Sequence, residues 1–175
     1  MKISLIAAMS ENRVIGNKGR LPWGHLPIDW DNLHAVTRGK KMVMGRKSYD
    51  TPDRIASPMG NIVLTRQADY PLELGFERAE SLEKALKILR GEGLDEIFIL
   101  GGSEIFKEAI FLADKIHLTL VHGVFEGDAF FPEFEHLKNE AHAPLFQLKE
   151  SRFFPADARN KYGQTLKFYE KNKIF

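Results

Sequence analysis

Short apolar runs rich in Ile, Val, Leu and Phe recur along the chain and predict β-strands. The run at 97–100 is apolar throughout, which is typical of a strand covered on both faces in a parallel sheet. The run at 115–121 alternates instead, with Ile116, Leu118 and Leu120 on one side. The predicted strands lie at 3–9, 41–44, 62–65, 96–100, 115–121, 146–154 and 165–170.

Helical spacing separates the early strands. An apolar i, i+3, i+4, i+7 pattern begins at Leu82, behind Ser81, a residue type suited to the N-cap. The same spacing follows Ser103, a second candidate N-cap. A further helix is predicted from Pro27, since proline is favoured at the first helical position, and it ends before Gly39.

Strands alternating with helices, followed by strands alone, predict one α/β domain over residues 1–175. We expect a central mixed, mostly parallel sheet of about eight strands flanked by helices, ending in a C-terminal antiparallel hairpin. The length of 175 residues and the hydrophobic content of 43% are ordinary for one globular domain.

Charge and composition exclude several classes of protein. The formal net charge is +1, which argues against a main partner that is nucleic acid or an anionic membrane. No apolar run reaches the roughly 20 residues that span a bilayer. The chain has no Cys, which excludes disulfides and thiolate zinc sites and suits the cytoplasm, where we expect the protein to act as a monomer. The six His show no metal-ligand spacing, so we predict no metal.

An acid falls on the apolar stripe of the helix predicted from Pro27. Asp29 shares a face with Leu33 and Val36, at i+4 and i+7. Two interpretations stay open. Acids are favoured in a first helical turn, which on periodicity alone is the stronger explanation. Alternatively, Asp29 is a buried acid that a polar ligand satisfies, and its pKa is raised by desolvation.

Three strand ends carry residues suited to phosphates. Gly101-Gly102 lies between a strand and a helix, where glycine permits close approach of a ligand but also serves simple tight turns. Arg46, Lys47 and Ser48 follow another strand. Thr65-Arg66 closes a third, and each cation alone would be read as a solvated surface charge. Because ligands of open α/β sheets bind beyond the carboxyl ends of strands, together they favour an extended ligand with several phosphates.

Short motifs follow one another in a fixed order over nearly the whole chain. They are ISLIAA at 3–8, RVIG at 13–16, LPW at 21–23, LP-x-D at 26–29, MGRKS at 44–48, NIVLTR at 61–66, LGG at 100–102, EGD at 126–128 and FP at 131–132. In this order they resemble the dihydrofolate reductase family.

The resemblance implies that NADPH reduces 7,8-dihydrofolate to 5,6,7,8-tetrahydrofolate, with hydride transfer to pterin C6 and protonation of N5. By the family's pattern, Asp29 binds the pterin amino group and ring nitrogen and promotes protonation. Thr119 supports that carboxylate by a hydrogen bond, and Trp23 helps to order water near it. The other substrate-binding residues implied are Ile6, Ala7 and Leu33.

The resemblance also implies a set of cofactor-binding residues. Backbone groups of Ala8 and Ile15 would meet the nicotinamide carboxamide, and Arg66 would lie near the 2′-phosphate. Segment 17–21 would act as a lid over the nicotinamide. The remaining cofactor-binding residues implied are Gly45, Arg46, Lys47, Ser48, Thr65, Leu100, Gly101, Gly102, Ser103, Glu104 and Ile105.

Several positions depart from the family's pattern. Met59 stands where the family usually has an Arg that binds the glutamate carboxylate of folate, and Arg54 is nearby. One additional residue falls in Gly24-His25, and Trp30 replaces a common Leu. Two alternatives therefore stay open: a related reductase of a pterin or pyrimidine without a glutamate tail, and a non-catalytic NADPH-binding module.

Overall fold

The computed structural model describes residues 1–172 and is organised by one eight-stranded sheet. The strands are β1 (Lys2–Ser10), β2 (Val14–Gly16), β3 (Lys41–Gly45), β4 (Asn61–Leu64), β5 (Phe76–Ala79), β6 (Glu96–Ile99), β7 (Lys115–Val121), β8 (Ala129–Phe130), β9 (Phe146–Phe154) and β10 (Gln164–Lys171). The helices are α1 (Pro27–Thr37), α2 (Arg46–Tyr49), α3 (Leu82–Arg90) and α4 (Ser103–Ala109).

The order across the large sheet is β5-β4-β3-β6-β1-β7-β10-β9. Neighbours from β5 to β7 are parallel, whereas β10 is antiparallel to both β7 and β9. The predicted fold class, a mostly parallel sheet with a C-terminal antiparallel hairpin, is therefore confirmed. A second sheet pairs β2 with β8.

All seven predicted strands are present, but the short ones were missed. β2 has three residues and β8 has two, which is too short for a periodic signal. β5 has four residues, of which Glu77 and Arg78 are charged, as befits an edge strand. The alternation in β7 predicts that one side of this strand is buried and the other is not. This is wrong, because Thr119 and Val121 are as buried as Leu118. β7 lies inside the sheet, where both faces are covered.

The main core packs α3 and α4 against the sheet. Leu82, Ala85, Leu86 and Leu89 of α3 are all buried, as their spacing predicts. The Ser81 hydroxyl accepts a hydrogen bond from the Lys84 N–H at 3.2 Å, which confirms it as the N-cap.

Ser103 is not the N-cap of α4, contrary to the prediction. It is the first helical residue, and Gly102 occupies the N-cap without a side-chain hydrogen bond. The Ser103 hydroxyl instead accepts a hydrogen bond from the Phe130 N–H at 2.8 Å, which ties α4 to β8. The N-terminal N–H groups of α4 are consequently not capped by a side chain.

Helix α1 differs from α3 in what it faces. It begins at Pro27 and ends before Gly39, as predicted, but Thr37 is its only buried residue. Leu33 and Val36 are half-buried and lie outside the main core cluster, contrary to the inward-facing stripe that we expected. Within residues 1–172, no helix is long and apolar enough to cross a membrane.

Candidate active site

The loops after β3 and β6 meet at the carboxyl edge of the sheet. The Gly45 N–H donates to the Gly101 carbonyl at 2.6 Å, and the Leu100 N–H donates to the Val43 carbonyl at 2.9 Å. Glycines therefore lie side by side at the ends of two adjacent parallel strands. We call Gly45, Gly101 and Gly102, with the first turns of α2 and α4, the glycine edge.

Two of the three glycines of this edge lie where an added Cβ would make a close contact. The peptide bond between Gly101 and Gly102 is cis, and Gly101 has a φ of 99°. A Cβ on Gly101 would lie 2.5 Å from the ring of Phe106, and a Cβ on Gly45 would lie 2.7 Å from the Ile105 side chain. A Cβ on Gly102 would instead project beside Ser48, whose hydroxyl oxygen is 3.9 Å away. The backbone of Gly102 is thus open to a ligand that approaches closely.

Helices α2 and α4 both present uncapped N–H groups at the glycine edge. Their N-cap residues are Gly45 and Gly102, neither of which makes a side-chain cap hydrogen bond. Backbone N–H groups of this kind favour anionic ligands, phosphates in particular. Glu104 is exposed and ion-pairs with Lys107 at 2.7 Å, so its side chain is directed to a surface partner.

Cationic and hydroxyl side chains flank the glycine edge. Arg46 is half-buried, with its guanidinium 5.6 Å from the centre of the Tyr70 ring, whereas Lys47 and Arg66 are exposed. Ser48 is half-buried on the same short helix. Thr65 directly follows β4, whose last residue pairs with Gly45. It is buried, and its hydroxyl accepts a hydrogen bond from the Gln67 N–H at 3.2 Å.

Arg78 is a further cation near the carboxyl end of β4, and it was not predicted from the sequence. Arg78 of β5 donates to the Thr65 carbonyl at 3.2 Å and ion-pairs with Glu80 at 3.5 Å. The parallel pairing of β5 with β4 brings it to the strand end that carries Arg66. Because β5 itself was not predicted, the only available signal was an isolated Arg in a short polar segment.

The carboxylate of Asp29 lies in a cleft between α1 and the centre of the sheet. Asp29 is half-buried, and desolvation by the surrounding protein raises the pKa of its carboxyl. A hydrogen bond from the Thr119 side chain and the nearby charge of His25 both act to lower that pKa but do not cancel the effect of burial. The raised pKa that the buried-acid interpretation expects therefore matches the environment of Asp29, whereas the pairing of this carboxylate with a ligand stays a prediction.

Thr119 and Trp23 complete what we call the acid cleft. Thr119 is buried on β7, opposite Ala8 of β1. Trp23 is 4% exposed, and its ring meets the ring of Phe125 edge-on at 5.5 Å. Its indole N–H is buried and has no hydrogen-bond partner among the described residues, so it is a donor available to a ligand or to water.

The remaining predicted residues differ in exposure and in the cluster against which they pack. Ile6 is buried, whereas Ala7, Ala8, Ile15, Leu33, Leu100 and Ile105 are half-buried. Ala8 packs against the cluster that contains Trp23, and Ala7 and Ile15 pack against the main core.

The predicted lid is a short turn attached to the loop after β7. Asn17 and Arg20 exchange two backbone hydrogen bonds of 2.8 and 3.1 Å. The Lys18 N–H donates to the Asp128 carboxylate at 3.0 Å. An exposed hydrogen bond of this kind is easily broken, which suits a segment that opens, while Leu21 at its end packs against the cluster that contains Trp23.

No metal centre is found among the described residues, where no three His, Asp or Glu side chains group in a way that could hold an ion. The features of the candidate site are thus an edge that offers N–H groups and cations, and a desolvated carboxylate on α1. Together with the fold, this defines the class of α/β enzymes that bind a phosphate-bearing nucleotide beside an acid–base residue.

Comparison with known proteins gives the family within that class. A family model described as dihydrofolate reductase matches residues 2–171. The chain belongs to the dihydrofolate reductase family.

Individual relatives match over nearly their whole length. Dihydrofolate reductase type 3 of Salmonella typhimurium is 37% identical over 163 residues, covering 93% of this chain and 94% of that protein. Dihydrofolate reductase of Bacillus subtilis is 34% identical over 169 residues, covering 97% and 94%. The structure of dihydrofolate reductase from Enterococcus faecalis complexed with NADP(H) and RAB-propyl superimposes with a TM-score of 0.84 at 31% identity, covering 98% and 97% of the two chains.

Proposed function

We propose that this chain catalyses the NADPH-dependent reduction of 7,8-dihydrofolate to 5,6,7,8-tetrahydrofolate. Hydride is transferred to pterin C6, and N5 is protonated. The observation that carries the proposal is the desolvated carboxylate of Asp29, which accepts a hydrogen bond from Thr119, in a fold that also has a strand edge suited to phosphates. A carboxylate in such a cleft is costly unless a ligand pairs with it, and a pterin presents an amino group and a ring N–H side by side.

The substrate is bound through the acid cleft. Asp29 accepts both pterin donors and promotes protonation of N5, while Thr119 positions the carboxylate. The unpartnered indole N–H of Trp23 donates to a water or a substrate atom beside them. Apolar contacts to the pterin are assigned to Ile6, Ala7 and Leu33.

The glycine edge fits a dinucleotide phosphate, because its backbone is open at Gly102 and its helix N–H groups are uncapped. The bound cofactor supplies the hydride. We assign its phosphates to Arg46, Lys47 and Ser48, and the 2′-phosphate to Arg66 with Arg78 beside it. The other residues assigned to the cofactor are Ala8, Ile15, Gly45, Thr65, Leu100, Gly101, Gly102, Ser103, Glu104 and Ile105.

The lid at 17–21 would exclude water from the nicotinamide when closed and permit release when open. We also propose that residues 1–175 act as one domain, as a monomer, in the cytoplasm and without nucleic acid as a partner. The net charge of +1 and the absence of Cys support this setting.

The proposal is tested by incubating the purified chain with dihydrofolate and NADPH and measuring tetrahydrofolate formed together with NADPH consumed. We expect equal amounts of both with the natural protein and loss of turnover in Asp29→Asn. Asp31→Asn is the matched control, since Asp31 is exposed on the same helix. Tight NADPH binding with no reduction of any dihydropterin would favour the non-catalytic module instead.

A further inference from the structure

A cavity of about 310 Å³ lies where β1 ends, between Met9 and Arg13 on one side and residues 132–136 on the other. Side chains of a strand alternate between the two faces of its sheet. Met9 packs against the main core, whereas the adjacent Ala8 lies opposite Thr119 on the face of the acid cleft. The cavity is therefore on the other face of the sheet, and none of its lining residues is assigned above to substrate or cofactor.

The apolar part of the cavity is firmly packed from behind. Phe134 is 3% exposed, and its ring meets the rings of Phe131 and Tyr169 edge-on at 5.9 and 5.0 Å. Met9 and Pro132 line the cavity beside it and are both half-buried. A flat apolar group that enters would contact a thioether, a proline ring and an aromatic ring that is already held in place.

The guanidinium that lines the cavity is matched within the protein. Arg13 ion-pairs with Glu133 at 3.0 Å and donates a second hydrogen bond to the Phe131 carbonyl at 2.8 Å. The other carboxylate oxygen of Glu133 lies 3.8 Å from Nδ1 of His136. Both basic side chains of the cavity thus approach Glu133, which leaves the second carboxylate of the cavity to be considered.

That second carboxylate, Glu135, is held by a neutral donor. Its Oε1 accepts a hydrogen bond from the Tyr169 hydroxyl at 3.0 Å. Burial and this hydrogen bond raise the pKa of Tyr169, so the hydroxyl keeps its proton and donates at neutral pH. Glu135 is therefore oriented by a hydrogen bond while neither basic side chain of the cavity matches its charge.

Two carboxylates and one guanidinium give the lining an excess of one negative charge, beside an apolar floor. We propose that this cavity binds a small organic monocation with a flat apolar body, whose N–H groups donate to Glu135 while its body lies against Met9 and Phe134. Charge complementarity favours a cation over an anion, and the apolar floor favours an aryl group over a hydrated inorganic ion. The inference goes beyond the proposed function, because it uses neither Asp29 nor the glycine edge.

Benzamidine is the probe, since its planar amidinium presents parallel N–H donors that suit a carboxylate. The chain has five Met, of which Met9 lines the cavity. With isotope-labelled Met methyl groups, the Met9 signal, assigned through Met9→Leu, should shift as benzamidine is added, because an aromatic ring then lies beside it. The signals of Met42 and Met44, which are buried on β3, should stay in place.

A neutral ligand and matched variants identify the charge responsible. Benzamide, which has the same ring without the charge, should bind at least about tenfold more weakly, the effect of losing one charge-assisted hydrogen bond. Glu135→Gln keeps an acceptor for Tyr169 and should weaken benzamidine about tenfold without changing benzamide. Glu140→Gln, on an exposed carboxylate of the same loop that does not line the cavity, should keep the natural affinity.

Asp29→Asn separates this cavity from the acid cleft, where an amidinium could also pair with a carboxylate. The Met9 titration should be the same in Asp29→Asn as in the natural protein. A Met9 shift that disappears in Asp29→Asn but persists in Glu135→Gln would overturn the inference and place the ligand in the acid cleft.

Three further outcomes would overturn it. They are a Met9 signal that does not move through the millimolar range of benzamidine, equal affinities for benzamidine and benzamide, and equal losses in Glu135→Gln and Glu140→Gln. All four outcomes leave the proposed function untouched, because the titration measures binding and no reduction.

Discussion

The glycine edge and the acid cleft are built from different parts of the chain. At the glycine edge, backbone groups are open to a ligand, and a Cβ on Gly45 or Gly101 would come within 2.7 Å of Ile105 or 2.5 Å of Phe106. In the acid cleft, the distinctive feature is one desolvated side chain, Asp29, whose pKa a hydrogen bond from Thr119 acts to lower. Substitutions at the glycine edge should therefore act through shape and stability, whereas substitutions in the acid cleft should act through charge and depend on pH.

The largest expected effect is that of Asp29→Asn, which should separate activity from stability. Hydride transfer in a single turnover should fall by about 10²–10⁴ at neutral pH, the usual contribution of a positioned acid. The melting temperature should rise at the same pH, because the fold raises the pKa of Asp29 and an ionised carboxylate is therefore destabilising there.

The gain in stability of Asp29→Asn depends on pH, because the pKa of Asp29 is higher in the folded state than in the unfolded state. Above the raised pKa, the folded state holds an unfavourable charge that Asn lacks, so the variant is more stable. Below the ordinary value of 3.8, the carboxyl is protonated in both states and the advantage disappears. Thermal unfolding measured across this range checks the prediction, and a variant less stable than the natural protein at neutral pH would contradict it.

At the glycine edge, Gly101→Ala should act through shape alone. Both a φ of 99° and a contact of 2.5 Å with Phe106 oppose the methyl group, so we expect a loss of about 2–4 kcal/mol in the free energy of unfolding. KM for NADPH should rise, and the pH profile should keep its natural form.

Gly75→Ala is the matched control for the backbone conformation. Gly75 has a φ of 88°, but no atom lies within 4 Å of its added Cβ. It should cost only about 1 kcal/mol, with no change in KM for NADPH. Equal losses in the two variants, measured by denaturant unfolding, would show that the contact with Phe106 contributes nothing.

The same contrast explains what could be predicted from the sequence. The core face of α3 and the parallel strands have regular apolar spacing, so periodicity was enough. The glycine edge could be predicted because Gly101-Gly102 and 45–48 are contiguous segments at strand ends. Asp29 could not be decided by spacing, because burial of a carboxyl depends on the sheet that lies opposite it.

Features assembled from distant segments could not be predicted. Arg78 reaches the end of β4 only through pairing of a charged edge strand, and β2 and β8 are too short to show a period. The engagement of Arg54 by Glu73 and Tyr49 depends on side-chain geometry across separate loops. The sequence identified Arg54 as a neighbour of Met59 but could not show that its charge is matched.

Thr119→Val should have a smaller effect on hydride transfer than Asp29→Asn, and it tests the hydrogen bond between Thr119 and Asp29. Its hydrogen bond lowers the pKa of Asp29, so its removal should raise that pKa further and move the decline of hydride transfer to higher pH. Valine keeps the β-branched shape within β7, and the stability cost should be about 1 kcal/mol. The pH profile of hydride transfer is the measurement.

Thr165→Val is the control for Thr119→Val. Thr165 is also a buried threonine of the large sheet, but its hydroxyl contacts His122 at 2.7 Å instead of Asp29. Its pH profile should match that of the natural protein. A profile for Thr119→Val that coincides with this control would mean that Thr119 does not act on the acid.

The smallest expected effect concerns His117, which lies on β7 two residues before Thr119. Burial lowers its pKa below the ordinary value of 6.5, the charge of Lys115 acts the same way, and Glu96 opposes them. A lowered pKa means that the folded state binds fewer protons, so its stability contribution is present above 6.5 and is lost as pH falls through the lowered value. This is opposite in sign to Asp29, which destabilises the fold at high pH.

His117→Phe, which keeps a ring between Phe98 and Phe168, should therefore lose less stability on acidification than the natural protein does. Chemical unfolding at neutral and mildly acidic pH tests this, with the exposed His136→Gln as control, and an unchanged difference between the two pH values would exclude His117 as the group responsible.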